Sequence, residues 1–91
     1  MLRTLNNTTI ETEALYHDGG SIQVAANGNF DGAKLMIKIS QDNLAYINLD
    51  DFKINKNDVL SIKMKANTKY ILFLDTIGAA SQVEVSIIWV I

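Results

Sequence analysis

The chain has 91 residues, 48% hydrophobic and 20% charged, which is enough for one globular domain and excludes the disordered class. Its net charge of −2 does not suggest electrostatic binding to nucleic acid or to an anionic membrane. With no cysteine, the chain has no disulfide framework and no cysteine-based metal site.

The first predicted elements are an arm, a strand, a turn and a second strand. Residues 1–7 carry two leucines but end in two asparagines, which indicates an N-terminal arm before a domain at 8–91. Threonines and an isoleucine favour a strand at 8–16, with helix as the alternative because good helix formers follow in the same segment. His17 begins a turn, and apolar alternation predicts the next strand at 21–26.

The stretch at 28–49 carries the clearest pattern: a turn, a strand, a tight turn and a second strand. From Leu35 onward, apolar and polar side chains alternate with the period of a half-buried strand. Asp42 and Asn43 reverse the chain, because both can bond their own backbone and asparagine tolerates a positive φ. The pattern predicts a β-hairpin whose second strand returns Ile47 to the apolar face.

The rest of the chain continues as strands and turns. A short edge strand at 52–54 precedes strands at 59–66, 69–75 and 82–91. Six to eight short strands with turn residues between them predict an all-β fold, a single antiparallel β-sandwich of jelly-roll or immunoglobulin-like type. The predicted core takes apolar residues from the inward faces: Leu35, Ile37, Ile39, Ile47, Leu60, Ile62, Leu72 and Val85.

The strands at 69–75 and 82–91 are apolar on both faces, whereas the outer face of a sandwich strand is expected to be polar. Their second faces carry four large apolar residues: Ile71, Phe73, Ile88 and Val90. These residues are contiguous if the two strands pair, and we then predict them to be the interface of a homo-oligomer. The alternative is that they are ordinary exposed hydrophobic residues.

No pattern in the sequence predicts catalysis. His17 is the only histidine, and the glycines after it favour a turn residue. Asp50 and Asp51 lack the spacing of a calcium loop and favour a solvated strand end. Trp89 on a strand favours the core. We expect a protein that is not an enzyme and has no catalytic, cofactor-binding or metal-binding residues.

The chain reads G-N-F-D-G-A-K-L at 28–35 and S-Q-D-N-L-A-Y at 40–46. These stretches resemble a pattern of small β-sandwich virion proteins of tailed bacteriophages, G-x-F-x-G-A-x-apolar followed by S-x-D-G-x-x-W. Asn43 stands at the usual glycine and Tyr46 at the usual tryptophan, so a left-handed turn residue and an aromatic ring are kept. The resemblance covers residues 21–91 and implies a virion component.

Among virion components, the resemblance favours a capsid decoration (cement) protein, a homotrimer that binds the major capsid protein over joints between coat subunits. The predicted capsid contacts are Leu2, Arg3 and Leu5 in the arm. The protein would be made in the host cytoplasm and reside on the capsid surface, with neither nucleic acid nor membrane as a partner. The alternative is a carbohydrate- or receptor-binding module of a head or tail fibre, with Tyr46 beside Asn48 as the sugar-stacking candidate.

Overall fold

The computed structural model describes residues 1–41 and 45–90, with only the backbone of Val90 described. The predicted turn residues Asp42 and Asn43 and the terminal Ile91 lie outside the described residues. The described part of the chain forms eight strands: β1 (Leu2–Asn6), β2 (Leu15–His17), β3 (Gly20–Asn29), β4 (Lys34–Gln41), β5 (Ile47–Asn48), β6 (Asp58–Met64), β7 (Thr68–Asp75) and β8 (Gln82–Val90). Within it, no helix is long and apolar enough to cross a membrane.

The strands form two antiparallel sheets of four strands each, which confirms the predicted all-β class. The first sheet has the order β1-β8-β3-β6 and the second sheet has the order β2-β7-β4-β5. The pairings include β1 with β8, β2 with β7, β3 with β6, and β4 with β5. The chain is therefore folded as one long hairpin, whose successive strand pairs are divided between the two sheets.

The inward faces of both sheets contribute to one hydrophobic core. Four predicted core residues are completely buried: Leu35, Ile37, Leu72 and Val85. Three others pack against the core while remaining half-buried: Ile39, Leu60 and Ile62. The assignment of Ile47 to the core is wrong, because its side chain is 64% exposed. Its strand β5 is the outermost strand of the second sheet and lies on the open side of the core.

The turn between β3 and β4 is joined to the loop between β7 and β8. The Asp31 carboxylate accepts a hydrogen bond from the Ala80 N–H at 2.9 Å. The Ser81 hydroxyl donates to the Phe30 carbonyl at 2.8 Å and accepts from the Gly78 N–H at 3.0 Å. A Cβ at Gly78 would collide with Asp31, so this contact requires glycine. The first stretch of the resemblance therefore has a structural role at the joint between two loops.

Residues 1–7 are part of the first sheet, which corrects their interpretation as an arm. β1 pairs with β8, and Met1 continues the pairing. The Met1 ammonium donates to the Ile87 carbonyl at 2.9 Å, while the Ile87 N–H donates to the Met1 carbonyl at 2.7 Å. Leu5 lies in the core. The first residues are fixed because the long hairpin brings both ends of the chain side by side.

The strand predicted at 8–16 is regular only at its end, where β2 begins at Leu15. Before it, an isolated bridge joins Glu11 to Phe73. The Thr12 N–H donates to the Leu72 carbonyl at 2.9 Å, and the Leu72 N–H donates to the Thr12 hydroxyl at 3.2 Å. This segment therefore lies along the edge of β7, with a side-chain hydroxyl in place of one backbone acceptor.

Candidate functional site

The predicted oligomer interface is not one patch. Its premise, that the strands now identified as β7 and β8 pair, is wrong because β7 belongs to the second sheet and β8 to the first. On the outer face of the second sheet, Ile71 is buried and Phe73 is half-buried. Ile88 lies on the outer face of the first sheet, and the side chain of Val90 lies outside the described residues.

Neighbouring side chains of the second sheet contact Phe73. The Lys38 ammonium lies 5.4 Å from the centroid of the Phe73 ring and 5.8 Å from that of Tyr46. Such cation–π contacts contribute about 0.5–1 kcal/mol at exposed sites. Met36, opposite Phe73 in the register, is buried. The apolar outer residues of β7 are thus accommodated within one chain, and Tyr46 already has a partner for its ring.

The three predicted capsid contacts have three different environments. Leu2 is 60% exposed on the outer face of the first sheet. Leu5 is completely enclosed in the core, so it offers no surface to a partner. Arg3 forms a bidentate ion pair with Glu13, with distances of 2.9 Å from Nε to Oε1 and 2.6 Å from Nη2 to Oε2. Hydrogen bonding from the Arg3 guanidinium lowers the pKa of the Glu13 carboxyl to about 2.

The outer face of the first sheet carries Leu2 from the predicted capsid contacts and Ile88 from the predicted oligomer interface. Leu2, Val59 and Ile88 are all more than half exposed there. The register aligns one row across all four strands: Leu2, Ser86, Ala25 and Val59. The adjacent row crosses three strands: Ile88, Gln23 and Ser61. We call these seven residues the first-sheet face, and none of them is charged.

Among the described residues, charged side chains lie only near the margins of this face. Glu84 is two residues from Ser86 along β8, and Lys63 is two residues from Ser61 along β6. Depletion of charge at the centre is one feature that protein-binding surfaces share. The sequence already contained a signal for Val59, which alternates with the inward-facing Leu60. Its neighbours across the face were not predictable, because the pairing of β1 with β8 joins opposite ends of the chain.

A second surface feature is a groove between β6 of the first sheet and residues 47–52 of the second sheet. It consists of two clefts of about 560 and 250 Å³, both lined by Leu49. Four half-buried apolar side chains line it: Ile39, Leu49, Leu60 and Ile62. We call it the β6 groove. On the opposite side of the molecule, the Arg3–Glu13 ion pair links the edge of the first sheet to the segment before β2.

His17 and Trp89 pack together at one end of the core. His17 is a buried residue at the end of β2, whereas the sequence indicated a turn. Its Nδ1 accepts from the Gly19 N–H at 2.9 Å, and its ring centroid lies 5.0 Å from that of Trp89. Trp89 is 57% exposed, so its assignment to the core is wrong. It lies near the end of β8, beyond Ile87, where the pairing with the N-terminus ends.

Chemistry-bearing side chains do not converge in the part of the chain that the structure describes. Those residues contain no group of three or more histidines, cysteines, aspartates or glutamates able to hold a metal ion. Asp50 and Asp51 are exposed and line the larger cleft of the β6 groove. The candidate functional surfaces are therefore the first-sheet face and the β6 groove. No family model matches the chain, and no curated protein matches it.

Proposed function

We propose that this chain is a structural virion protein of a tailed bacteriophage, which decorates the capsid and stabilises the coat-protein shell. The observation that carries the proposal is the first-sheet face, an uncharged surface across four strands with three exposed large apolar side chains. Because each of these side chains is already partly covered, burying the rest contributes roughly 1–2 kcal/mol each. Repetition over a shell sums many modest contacts into stable attachment.

We also infer that the two sheets form a β-sandwich of the jelly-roll type. The shared core and the nested pairing of the first four strands with the last four support this inference. An immunoglobulin-like domain has a different division of its strands between the sheets. Jelly rolls occur in viral capsid proteins and in lectins, so this fold-level analogy supports both capsid decoration and sugar binding.

The proposed partner is the major capsid protein, bound through the first-sheet face. Leu2, Val59 and Ile88 would supply the buried apolar area. Between them, Gln23 and Ser61 offer side-chain hydrogen-bond donors and acceptors. The expected homotrimer has no support from its predicted interface, because the strands β7 and β8 that carry those four residues belong to different sheets.

The first test is to purify particles of the phage that encodes this chain and measure its copy number by quantitative mass spectrometry. A decoration protein is present at high copy number relative to the coat protein. Its absence from the particles would overturn the proposal.

The second test maps the contact, using particles stripped of the protein and purified variants. Ile88→Asp places a charge on the first-sheet face, on the inner strand β8, and should abolish rebinding. Ile47→Asp is the matched control, because Ile47 is comparably exposed but lies on the second sheet. Equal rebinding of the two variants would show that another surface contacts the shell.

A second candidate function, carbohydrate binding, is favoured by one observation: the chain's single tryptophan, Trp89, has an exposed ring next to the buried His17. An exposed aromatic face can stack on the apolar side of a sugar ring. Calorimetric titration with host-surface polysaccharides tests this function. Saturable binding that Trp89→Ala removes would support it, and the absence of heat with every polysaccharide tested would count against it.

A further inference from the structure

The outer edge of β6 has backbone groups without strand partners among the described residues. β6 is the terminal strand of the first sheet and pairs with β3 on one side. Across that sheet, Ile87 and Met1 exchange both backbone hydrogen bonds, so the odd residues of β8 bond toward β1. Bonding direction alternates along antiparallel strands, and the register then directs the even residues of β6 toward β3. The N–H and C=O groups of Ser61 and Lys63 therefore point outward.

Two side-chain contacts agree with this assignment. The Gly28 N–H donates to the Asn57 side chain at 3.0 Å, which places the even residues of β3 on the β6 side. The Val59 N–H donates to the Asp58 carboxylate at 2.7 Å, as expected for an odd residue of β6 that does not bond to β3. The edge beside the groove is thus a template for another strand.

The β6 groove supplies an apolar floor beside this edge. Leu60 and Ile62 reach it from the first sheet, and Ile39 and Leu49 reach it from the second. All four are half-buried, so each has surface left to cover. Open backbone groups next to an apolar groove are the features by which sheets bind an extended polypeptide, through main-chain hydrogen bonds and alternate side chains.

The charges along β6 match a second copy of β6. Asp58 lies at its start, and Lys63 and Lys65 lie at and just beyond its end. None of the three forms an ion pair with a described residue. In an antiparallel second β6 centred on Ser61, Asp58 of each copy lies opposite Met64 of the other, at the end of the strand pair that carries Lys63 and Lys65. Alternation places the aspartate and the lysines on opposite faces of the sheet, so the opposite charges attract across each end of the pair without forming a direct ion pair. A parallel second β6 would bring like charges together, which is unfavourable.

We propose that two copies of this chain associate through antiparallel β6 strands about a two-fold axis at Ser61. The backbone groups of Ser61 then bond to those of Ser61 in the second copy. Leu60 of each copy lies opposite Ile62 of the other, so the apolar floors meet. The two first sheets become one eight-stranded sheet, and the first-sheet face extends across both copies. This self-association needs no capsid, so it can hold or fail independently of the proposed function.

The main test exchanges charges between two chains. Asp58→Lys alone puts three lysines at each β6 and should weaken self-association about tenfold, because attraction at both ends becomes repulsion. The double variant Lys63→Glu/Lys65→Glu should weaken it similarly. An equimolar mixture of the two variants restores opposite charges at both ends and should recover the wild-type affinity. Sedimentation equilibrium from micromolar to sub-millimolar concentration measures all three, with circular dichroism to confirm folding.

A backbone test uses the outward N–H of β6. Ser61→Pro removes that donor but leaves the bonds to β3, because proline is tolerated on an edge strand whose N–H faces outward. It should sediment as a folded monomer. Thr4→Pro is the matched control, because Thr4 is an outward-bonding residue of β1, the other edge of the same sheet, and it should dimerise like the wild type.

The outcomes separate the proposal from its competitors. A concentration-dependent dimer that is weakened by each charge variant and restored in the mixture supports it. A wild-type chain that stays monomeric at sub-millimolar concentration overturns it, and so does a trimer. A dimer unaffected by the charge variants and by Ser61→Pro also overturns it, since self-association would then use another surface.

Discussion

At the scale of single residues, Arg3 was predicted to be a capsid contact in an arm, but the structure shows it in an ion pair with Glu13. The arginine appears in the sequence as a solvent-exposed residue of an arm. In the fold its guanidinium donates hydrogen bonds to both carboxylate oxygens of Glu13, which belongs to the segment before β2. Bidentate geometry of this kind is the strongest arrangement that an arginine and a carboxylate form. The pair thereby links the edges of the two sheets on the side opposite the β6 groove.

This ion pair should make stability depend on pH in the acid range. The folded pKa of Glu13 is about 2, below the ordinary value of 4.5. A depressed carboxyl pKa contributes stability that is fully present above the unfolded pKa and is lost as the pH falls through the folded pKa. The difference in melting temperature between wild type and Glu13→Gln should therefore be constant above about pH 5 and shrink toward pH 2. Differential scanning calorimetry at a series of pH values measures it.

Because the pair is solvent-exposed, the difference should be small. The double variant Arg3→Gln/Glu13→Gln completes a cycle that isolates the interaction from the cost of each single change. A melting-temperature difference that persists unchanged down to pH 2 would contradict the assignment.

The contact between Gly78 and Asp31 gives a second prediction at this scale. Gly78→Ala places a methyl group where the Asp31 carboxylate lies, so the two loops must separate. We expect a loss of about 1–3 kcal/mol in the free energy of unfolding, measured by urea denaturation. Gly32→Ala serves as a comparison that isolates the cost of a positive φ, because Gly32 has a positive φ and open space around its Cβ position, whereas Gly78 has the close contact. A loss well below about 1 kcal/mol for Gly78→Ala would mean that the close contact is not important for stability.

At the scale of elements, the hairpin of β4 and β5 shows where alternation predicts burial and where it fails. Ile37 and Ile47 both lie on the apolar face of the predicted hairpin. The first is completely buried and the second is largely exposed. Alternation identifies which face of a strand is apolar, but burial also requires that the opposing sheet extend over it. β5 is a two-residue edge strand at the open side of the core.

Substitution by alanine should therefore lower the free energy of unfolding strongly at one of these isoleucines and hardly at all at the other. Ile37→Ala should lower the free energy of unfolding by about 2–5 kcal/mol, because it leaves a cavity in the core. Ile47→Ala should change it by less than about 0.5 kcal/mol, as is usual for surface substitutions. Chemical denaturation of both variants against wild type measures this contrast. Equal losses would mean that Ile47 is covered in solution.

At the scale of the whole molecule, the nested hairpin places the first and last strands next to each other. β1 pairs with β8, so closing the first sheet brings together residues more than seventy positions apart. The same topology explains why the predicted interface divided between two surfaces. β7 and β8 are consecutive in the chain, but the nested arrangement sends them to different sheets. It also explains why Leu2 and Ile88 lie on one face.

We expect refolding in milliseconds to seconds from this topology, and no phase of tens of seconds from the composition. Long-range strand pairing places refolding in the range of milliseconds to seconds. The chain has no proline, so refolding should lack the phase of about 10–100 s that proline isomerisation causes. Stopped-flow refolding at low protein concentration, started after short and long times in denaturant, measures both. A phase of tens of seconds that grows with time in denaturant would contradict the prediction.

The sequence by itself determined the all-β class, most strand positions and a part of the core, because strand alternation is a local property that each segment carries in its own residues. It also determined the apolar character of the second faces of β7 and β8. Only the tertiary structure decided which strands are neighbours, since pairing joins distant segments through backbone groups that every residue has. This strand pairing buries Ile71, places Leu5 in the core and leaves Trp89 exposed. It also brings Leu2, Val59 and Ile88 onto one uncharged face. It also left one side of β6 without a strand partner among the described residues, next to an apolar groove.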